Sequence, residues 1–256
     1  MGAAQDRLPR DLTGEDAVAT VLGDQQLVVD PRDESIAHCL LNLGQWEWWV
    51  SKAIADVMRP GVNCVDVGAN AGYFVAQLKA LGARRVLALE PQPALVRRLQ
   101  ESVRLNQWSG VEVLQLAAAE GRGTAALSIP SENNLGGSSI MVRNGDTILE
   151  NVQTVALDEL LADWDELHLV KLDAEGAEPR IWAGMQETIR RFPDLHVFAE
   201  MTVNHDSDPW LDEVEAAGFT LRFLDYDLSV RAFDRSRLRD RVMYMMYLHR
   251  DDPAWA

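Results

Sequence analysis

Between residues 65 and 72 the chain reads Val65-Asp66-Val67-Gly68-Ala69-Asn70-Ala71-Gly72, an acidic residue leading into a turn with two glycines. After a strand of an open α/β sheet, such a turn sits where ligands bind. Its glycines allow a tight bend and close backbone approach. A dinucleotide turn needs G-x-G-x-x-G, and here Asn70 and Tyr73 stand at the second and third glycine places. A Lys-Ser/Thr phosphate loop is also missing from this region. What remains suits a ligand with cationic groups and no phosphate. Eighteen residues beyond Gly72 comes Glu90, whose carboxylate can accept both hydroxyls of a ribose. S-adenosylmethionine carries a ribose, an amino group and a sulfonium, and no phosphate. In the plainer alternative the glycines only turn the chain, and Asp66 and Glu90 are solvated strand ends.

A second group of acids follows at Lys171-Leu172-Asp173-Ala174-Glu175-Gly176-Ala177-Glu178. Glu175 and Glu178 suit a helix N-terminus, whose dipole favours carboxylates by about 0.3–1 kcal/mol each. That does not account for Asp173, at the end of a buried strand beside the expected site. Lys171 either pairs with one of these acids or snorkels to water. Transfer to an alcohol oxygen needs alignment, exclusion of water and a base within reach. His205, in Thr202-Val203-Asn204-His205-Asp206, titrates near neutrality and is one candidate base; the alternative is a loop histidine in water. Asp173 is the second candidate, and Glu200 is a further polar group on the same rim. Asp173, Glu200 and Asn204 also make a possible oxygen-ligand set for Mg²⁺, as in catechol-type O-methyltransferases, although no dense metal signature is present.

Asp66-Val67-Gly68-Ala69-Asn70-x-Gly72, Leu89-Glu90-Pro91 and the Lys-x-Asp-x-Glu-Gly-x-Glu string from Lys171 together resemble the FkbM family of S-adenosylmethionine-dependent methyltransferases. The likeness runs from about Gly44 to Leu248 and includes Gly44-x-Trp46-Glu47. The acidic string is its specific part; the glycine turn alone indicates the wider class I superfamily. Two positions depart from the pattern: Ala174 replaces a larger β-branched residue, and Pro179 follows the last Glu, where a first helical turn tolerates it. The resemblance implies a Rossmann-like class I fold and O-methylation of hydroxyl groups on sugars or polyketide-type natural products. It implies cofactor contacts at Asp66, Gly68, Asn70, Gly72 and Glu90. Ala69, Pro91, Ala118 and Asp173 join them as candidates on the same rim. Candidate acceptor contacts are Trp46, Glu47, Ser138, Ser139, Glu175 and Glu200.

The elements that must hold these residues alternate. Strands are expected at Val62–Val67, Arg85–Leu89, Val111–Ala117, Leu167–Leu172 and Leu195–Ala199. Helices are expected between them at Ala71–Leu81, Pro93–Leu105 and Pro179–Phe192, with another at Trp210–Ala217. This pattern predicts an α/β, mostly parallel seven-stranded sheet with right-handed crossovers. It closes with an antiparallel hairpin at the sheet edge, Phe219–Asp225 and Val242–His249. Residues 1–60 read as a helical extension or cap, and 61–256 as the methyltransferase domain. The extension is expected to hold a short helix near Gly14–Leu22, a strand at Gln26–Val29, and helices at Asp33–Leu43 and Trp46–Met58. Ser131–Glu150, flanked by strands, is polar and glycine-rich and is expected to be a lid over the acceptor. Trp46, Trp48 and Trp49 cannot all face one side of a helix, so some must pack on the core while Trp46 and Glu47 cap the site.

The 256 residues carry 24 basic and 40 acidic side chains, a net charge of -16. That disfavours nucleic acid, anionic membrane surfaces and strongly acidic substrates. No apolar run reaches the roughly 20 residues needed to span a bilayer. Met1–Pro31 lacks the apolar core of a signal peptide. Cys39 and Cys64 form no disulfide framework or metal-finger spacing, which points to buried thiols in a reducing, cytoplasmic setting. The expected partner is a small hydroxylated molecule, and the methionine-rich strand Val242–Leu248 is a possible homodimer contact. Two other classes remain open: a cofactor-binding protein without catalysis, and a nicotinamide-dependent oxidoreductase, which Asn70 and Tyr73 disfavour.

Overall fold

The computed structural model describes residues 16–129, 137–142, 147–204 and 206–251. The chain starts with an antiparallel hairpin, β1 (Ala17–Val21) and β2 (Gln25–Val29). A helix was expected over Gly14–Leu22, but β-branched Val18, Thr20 and Val21 favour extended backbone, and every β1 residue pairs with one in β2. Helices α1 (Ile36–Leu43) and α2 (Trp48–Val57) follow. The Asp33 carboxylate accepts from the amides of Ser35 and Ala37, satisfying donors that a helix start leaves free. The extension is therefore half hairpin and half helix.

The alternation then begins with β3 (Asn63–Val67), α3 (Tyr73–Ala80), β4 (Arg85–Leu89), α4 (Pro93–Asn106) and β5 (Val111–Leu114). The strand expected at Val111–Ala117 breaks after Leu114. Its last part is β6 (Ala117–Ala118), which joins β7 (Gly123–Ile129) and β8 (Thr147–Val155) in a side sheet ordered β6-β8-β7. Next come α5 (Leu157–Leu160), β9 (Leu169–Leu172), α6 (Glu178–Ala183), α7 (Gln186–Arg191), β10 (His196–Thr202) and α8 (Ser207–Ala216). A single helix was expected across Pro179–Phe192. It splits at Gly184, which lies against the Ala119 carbonyl with no room for a Cβ, and α7 starts anew where the Asp158 carboxylate accepts from the Glu187 and Thr188 amides at 3.0 and 2.7 Å. The chain ends with β11 (Thr220–Leu224), β12 (Val230–Ala232), a 3₁₀ turn at Arg235–Asp240 and β13 (Met243–His249).

The main sheet has the order β12-β11-β13-β10-β9-β3-β4-β5. The five strands from β10 to β5 run parallel, and β13 is antiparallel to both β10 and β11. The mostly parallel α/β architecture is as expected, with one strand more than seven because β12 adds to the rim. The antiparallel pair β11–β13 is present, yet β13 lies inside the sheet and β12 forms the edge. The continuous run Tyr244–His249 is buried, as befits a strand covered on both faces. Hydrogen-bonded on both sides, β13 offers no free edge to a second copy.

Side chains alternate between two cores. Val65, Val67, Val170 and Leu172 face a cluster with Trp182 and Trp210 from α6 and α8. Cys64 and Leu169 face the other, with Ile54 of α2, Phe74 of α3, and Leu27 and Val29 of the hairpin. Cys64 is the buried thiol expected of it; Cys39 is half-buried. Among the described residues, no helix is long and apolar enough to cross a membrane.

The hairpin is tied to α4 by a buried ion cluster. Arg98 Nε donates to Asp16 Oδ1 and Nη2 to Asp30 Oδ2, both at 2.8 Å, with 6% of the Arg98 side chain exposed. Removing Arg98 takes away two buried charge-assisted hydrogen bonds but leaves Asp16 with Arg97 and Asp30 with Arg32, so Arg98→Ala should cost about 1.5–3 kcal/mol in urea unfolding. Arg97 also pairs with Asp16 but is half exposed. Arg97→Ala should cost under about 1 kcal/mol. Equal costs would mean that the cluster does not hold the extension in place.

Candidate active site

The parallel strands end their carboxyl sides on one cavity, in keeping with the rule for open α/β sheets. The segment from Gly68 to Ala71 forms part of its wall, and the amides from Gly68 to Gly72 are all accounted for. Gly68 and Ala69 donate to the Leu89 carbonyl at 2.9 and 3.0 Å. Asn70 donates to Glu90 Oε2 at 2.9 Å, Ala71 to Asn70 Oδ1 at 2.6 Å, and Gly72 to the Ala69 carbonyl at 2.8 Å. A phosphate loop does the opposite and aims such donors at the ligand. Gly68 has φ 74°, and a Cβ there would lie 1.8 Å from the Asp173 carbonyl oxygen, so only glycine lets the two strand ends meet.

Glu90, 3% exposed, gives its second oxygen to the Gln92 amide at 3.0 Å. Each oxygen keeps another lone pair for a ligand. Burial pushes its pKa up to about 7; the two amides oppose this, while Asp66 and Asp173 add to it.

Asp66 lies beneath the cavity and does not line it. It is 1% exposed, neither oxygen has a hydrogen bond, and Oδ1 is 4.0 Å from Lys171 Nζ. Burial raises its pKa to about 6 against the pull of Lys171, with Asp173 adding to the rise. Lys171 donates to Asp173 Oδ2 at 2.9 Å and sits 4.5 Å from the centre of the Phe74 ring. Burial alone would lower the lysine's pKa, but Asp173, Asp66 and Glu47 hold it above the ordinary value. Lys171 thus pairs with the acids rather than snorkelling.

Past Asp173 the chain turns through Glu175 and Gly176 at φ 55° and 98°. The Ala174 amide donates to Glu178 Oε1 at 2.7 Å, so Glu178 is a buried loop clasp. Ser139 closes the loop from above, with its Oγ within 2.9 Å of the Glu175 carbonyl and its backbone paired to Ser128. Ser138 Oγ accepts from Gln92 Nε2 at 2.9 Å.

Trp46, Glu47, Gly68, Ala69, Asn70, Glu90, Pro91, Ala118, Ser138, Ser139, Asp173, Glu175 and Glu200 all line this cavity. Gly72 does not: it caps α3 at φ 89°, facing Leu99 and Leu27. Asn204 lines a smaller pocket, and its Oδ1 accepts from the Asp206 amide at 2.7 Å. The Mg²⁺ set of Asp173, Glu200 and Asn204 is therefore not assembled; Glu175 is the third acid near Asp173 and Glu200, with oxygens within 4.8 Å of one another. His205 lies outside the described residues, as do 131–136 and 143–146 of the expected lid. Gly137, Ser138, Ser139 and Ile140 of that segment do line the cavity. Trp48 is exposed, and Trp49 packs edge-on to Tyr226 at 4.7 Å. Missed contacts are Ser35, Tyr73, Phe74 and Gln92's support of Ser138. Only Tyr73, standing in the third glycine place, had a sequence signal.

Two acids in the cavity have no side-chain hydrogen bond among the described residues. Glu200 is 7% exposed and makes no hydrogen bond with its side chain among the described residues; Glu47 Oε2 is buried without one. Burial, then Asp173 and Glu175, push the Glu200 pKa up to about 10. Burial and Asp173 raise Glu47 to about 7, with Lys171 opposing. The folded chain thus holds protons that the unfolded chain releases near the ordinary carboxylate range. Their stabilisation is complete below that range and is lost as pH rises through about 7 and about 10. Burial keeps His168 and His196 below their usual 6.5, so both are neutral in either state above neutrality and leave the slope alone. The melting temperature of the ligand-free protein should fall between about pH 7 and about pH 9. Glu200→Gln should flatten that fall and melt higher than the parent at the alkaline end. Parallel curves for the two proteins would refute the assignment.

The family pattern described as "Methyltransferase FkbM domain" matches residues 66–229. No curated protein matches the chain. Among solved structures, the methyltransferase FkbM from Methylobacillus flagellatus KT is 16% identical, with 78% of this chain and 50% of that one covered and a TM-score of 0.48. This chain thus spans half the length of that relative. M. jannaschii TYW2, in complex with AdoMet, is 15% identical over 93% of this chain and 86% of its own, TM-score 0.48. The T. Thermophilus 16S rRNA N2 G1207 methyltransferase RsmC is 14% identical over 92% of this chain and 50% of its own, TM-score 0.48. With a family match that begins at Asp66 in β3 and takes in the glycine turn, Glu90 and the whole acidic string, the chain belongs to the FkbM methyltransferase family.

Proposed function

We propose that this protein is an S-adenosylmethionine-dependent O-methyltransferase acting on a hydroxyl of a small molecule, of the sugar or polyketide-derived kind. The observation that carries the cofactor reading is the satisfied glycine turn: five consecutive amides, 68 to 72, bond within the protein, and Glu90 holds one of them. Such a wall repels a pyrophosphate and accepts a ribose. Glu90 takes the ribose hydroxyls, Pro91, Ala117 and Ala118 make the apolar border for the base, and Asp173 and the turn face the cationic end. Asp66 acts from below by neutralising Lys171. When bound, the cofactor supplies an electrophilic methyl group on a sulfonium that leaves as a neutral thioether.

Asp173 is the group to take the acceptor's proton. Lys171 fixes its Oδ2, and its position at the end of β9, against Gly68, places it between cofactor wall and acceptor space. A Mg²⁺-dependent mechanism is less well supported, because Lys171 already supplies a cation at Asp173. The dry setting of the cavity floor serves transfer by excluding water.

Calorimetry should show binding of S-adenosylhomocysteine and none of NAD(H). Glu90→Ala should weaken that binding by at least about tenfold, through loss of ribose contacts and of the Asn70 anchor. Asp173→Asn should leave it within a few-fold and lower turnover on an identified acceptor by about 10²–10⁴. Unchanged binding in Glu90→Ala would sink the cofactor assignment.

A further inference from the structure

The acceptor end of the cavity has more acidic side chains than a methyl donor and a neutral alcohol can engage. Among the described residues, five acids line the cavity, Glu47, Glu90, Asp173, Glu175 and Glu200, against one cation, Lys171. Lys171 is already engaged by Asp173 at 2.9 Å and Asp66 at 4.0 Å. Glu90 belongs to the cofactor end. It follows β4, while Glu200 is on β10, three strand spacings away, or about 14 Å. The cofactor contributes one net positive charge, since its carboxylate offsets one of its two cationic centres.

Glu200 and Glu47 reach the same space from different elements. Glu200 points in from β10, and Glu47 from the left-handed residue that starts α2. Glu200 is 7% exposed, faces the cavity and makes no side-chain hydrogen bond among the described residues, and Glu47 Oε2 is buried with no hydrogen bond. Groups placed so stay protonated unless a cation or strong donor arrives to favour the carboxylate. Glu47 contributes to the rise at Glu200, and both feel Asp173 and Glu175, so they lie in a common field.

We propose that the acceptor is an amino alcohol, with a protonated amine seated between Glu200 and Glu47 beside the hydroxyl that is methylated. This rests on the function proposed above and specifies its substrate class. An ammonium has three donors and one charge, which suits two monodentate carboxylates. A divalent ion drawn to Asp173 would lie against the Lys171 ammonium, which the lysine's position disfavours. A neutral polyol can hydrogen-bond these two groups but brings no charge to favour their ionised forms.

The test uses the full chain saturated with S-adenosylhomocysteine, so that the cofactor's own amine is already in place. Glucosamine, N-acetylglucosamine and glucose are titrated in parallel by calorimetry, near neutral pH. Glucosamine should bind at least about tenfold more tightly than the other two. Glu200→Gln and Glu47→Gln should each remove about tenfold of that preference while leaving S-adenosylhomocysteine binding within a few-fold. Magnesium chloride should not compete with glucosamine. Equal behaviour of the three sugars, including no binding by any of them, overturns the inference, as does displacement of glucosamine by Mg²⁺. Should S-adenosylhomocysteine itself fail to bind, the proposed function falls first and takes this inference with it.

Discussion

Lys171 puts a full positive charge inside a parallel sheet, with 2% of its side chain exposed. Stripping water from an ammonium costs several kcal/mol, so such a group persists only when close acids restore what hydration gave. Asp173 does so along its own strand, and Asp66 from the neighbouring strand at the paired position. Phe74 adds its ring face from α3. The consequence is geometric. Asp173 is drawn back over its strand, and the loop leaving β9 must pass where Gly68 has no side chain. The β3 and β9 exits, which form the floor of the site, are thereby locked to one another.

The extension completes the cavity that this lock begins. Ser35, Ile36, Trp46 and Glu47 line it from outside the alternating sheet. Their position depends on the Arg98 cluster, which fastens the hairpin to α4, and on the apolar face that Leu27, Leu40 and Ile54 share with Phe74 and Leu78. Residues 17–58 and the sheet domain therefore share one core. Three of the non-glycine residues with left-handed backbone, Glu47, Asn70 and Glu175, line the cavity. That conformation is unfavourable for a side chain bearing Cβ, and here neighbouring hydrogen bonds and packing hold it. Asn70 is the clearest instance, fixed through its amide to Glu90.

How far the sequence could be read follows the range of the forces involved. Apart from α5 and the break between β5 and β6, the strands and helices from Asn63 to Ala216 were legible because their periodicity is local, and the site rim followed from the ends of those strands. Three features were not. β1 was mistaken for a helix, since its register depends on a partner strand that a short window does not weigh. The break at Gly184 goes with a cap for α7 supplied by Asp158, distant in sequence. Asp66 sits in a strand whose residues are all buried, but only its pairing with Lys171 across β3 and β9 shows it serving the site from beneath. Asn204 failed as a ligand for a similar reason: its carbonyl oxygen was claimed by a local turn.

The same field that holds Lys171 charged keeps nearby carboxyls protonated. Glu90, Glu47 and Glu178 are raised to about 7, about 7 and about 8, and Glu200 further, with burial the leading cause in each. A cation that enters the cavity favours the ionised form of whichever acid it meets, so binding there is tied to release of protons. Selectivity follows from this coupling. A neutral ligand recovers none of the energy stored in those raised acids, whereas a cationic one recovers part of it at each carboxylate it reaches. The discrimination therefore comes from the site's buried charge rather than from a large contact area, and it would fade in a variant whose cavity acids were made neutral amides.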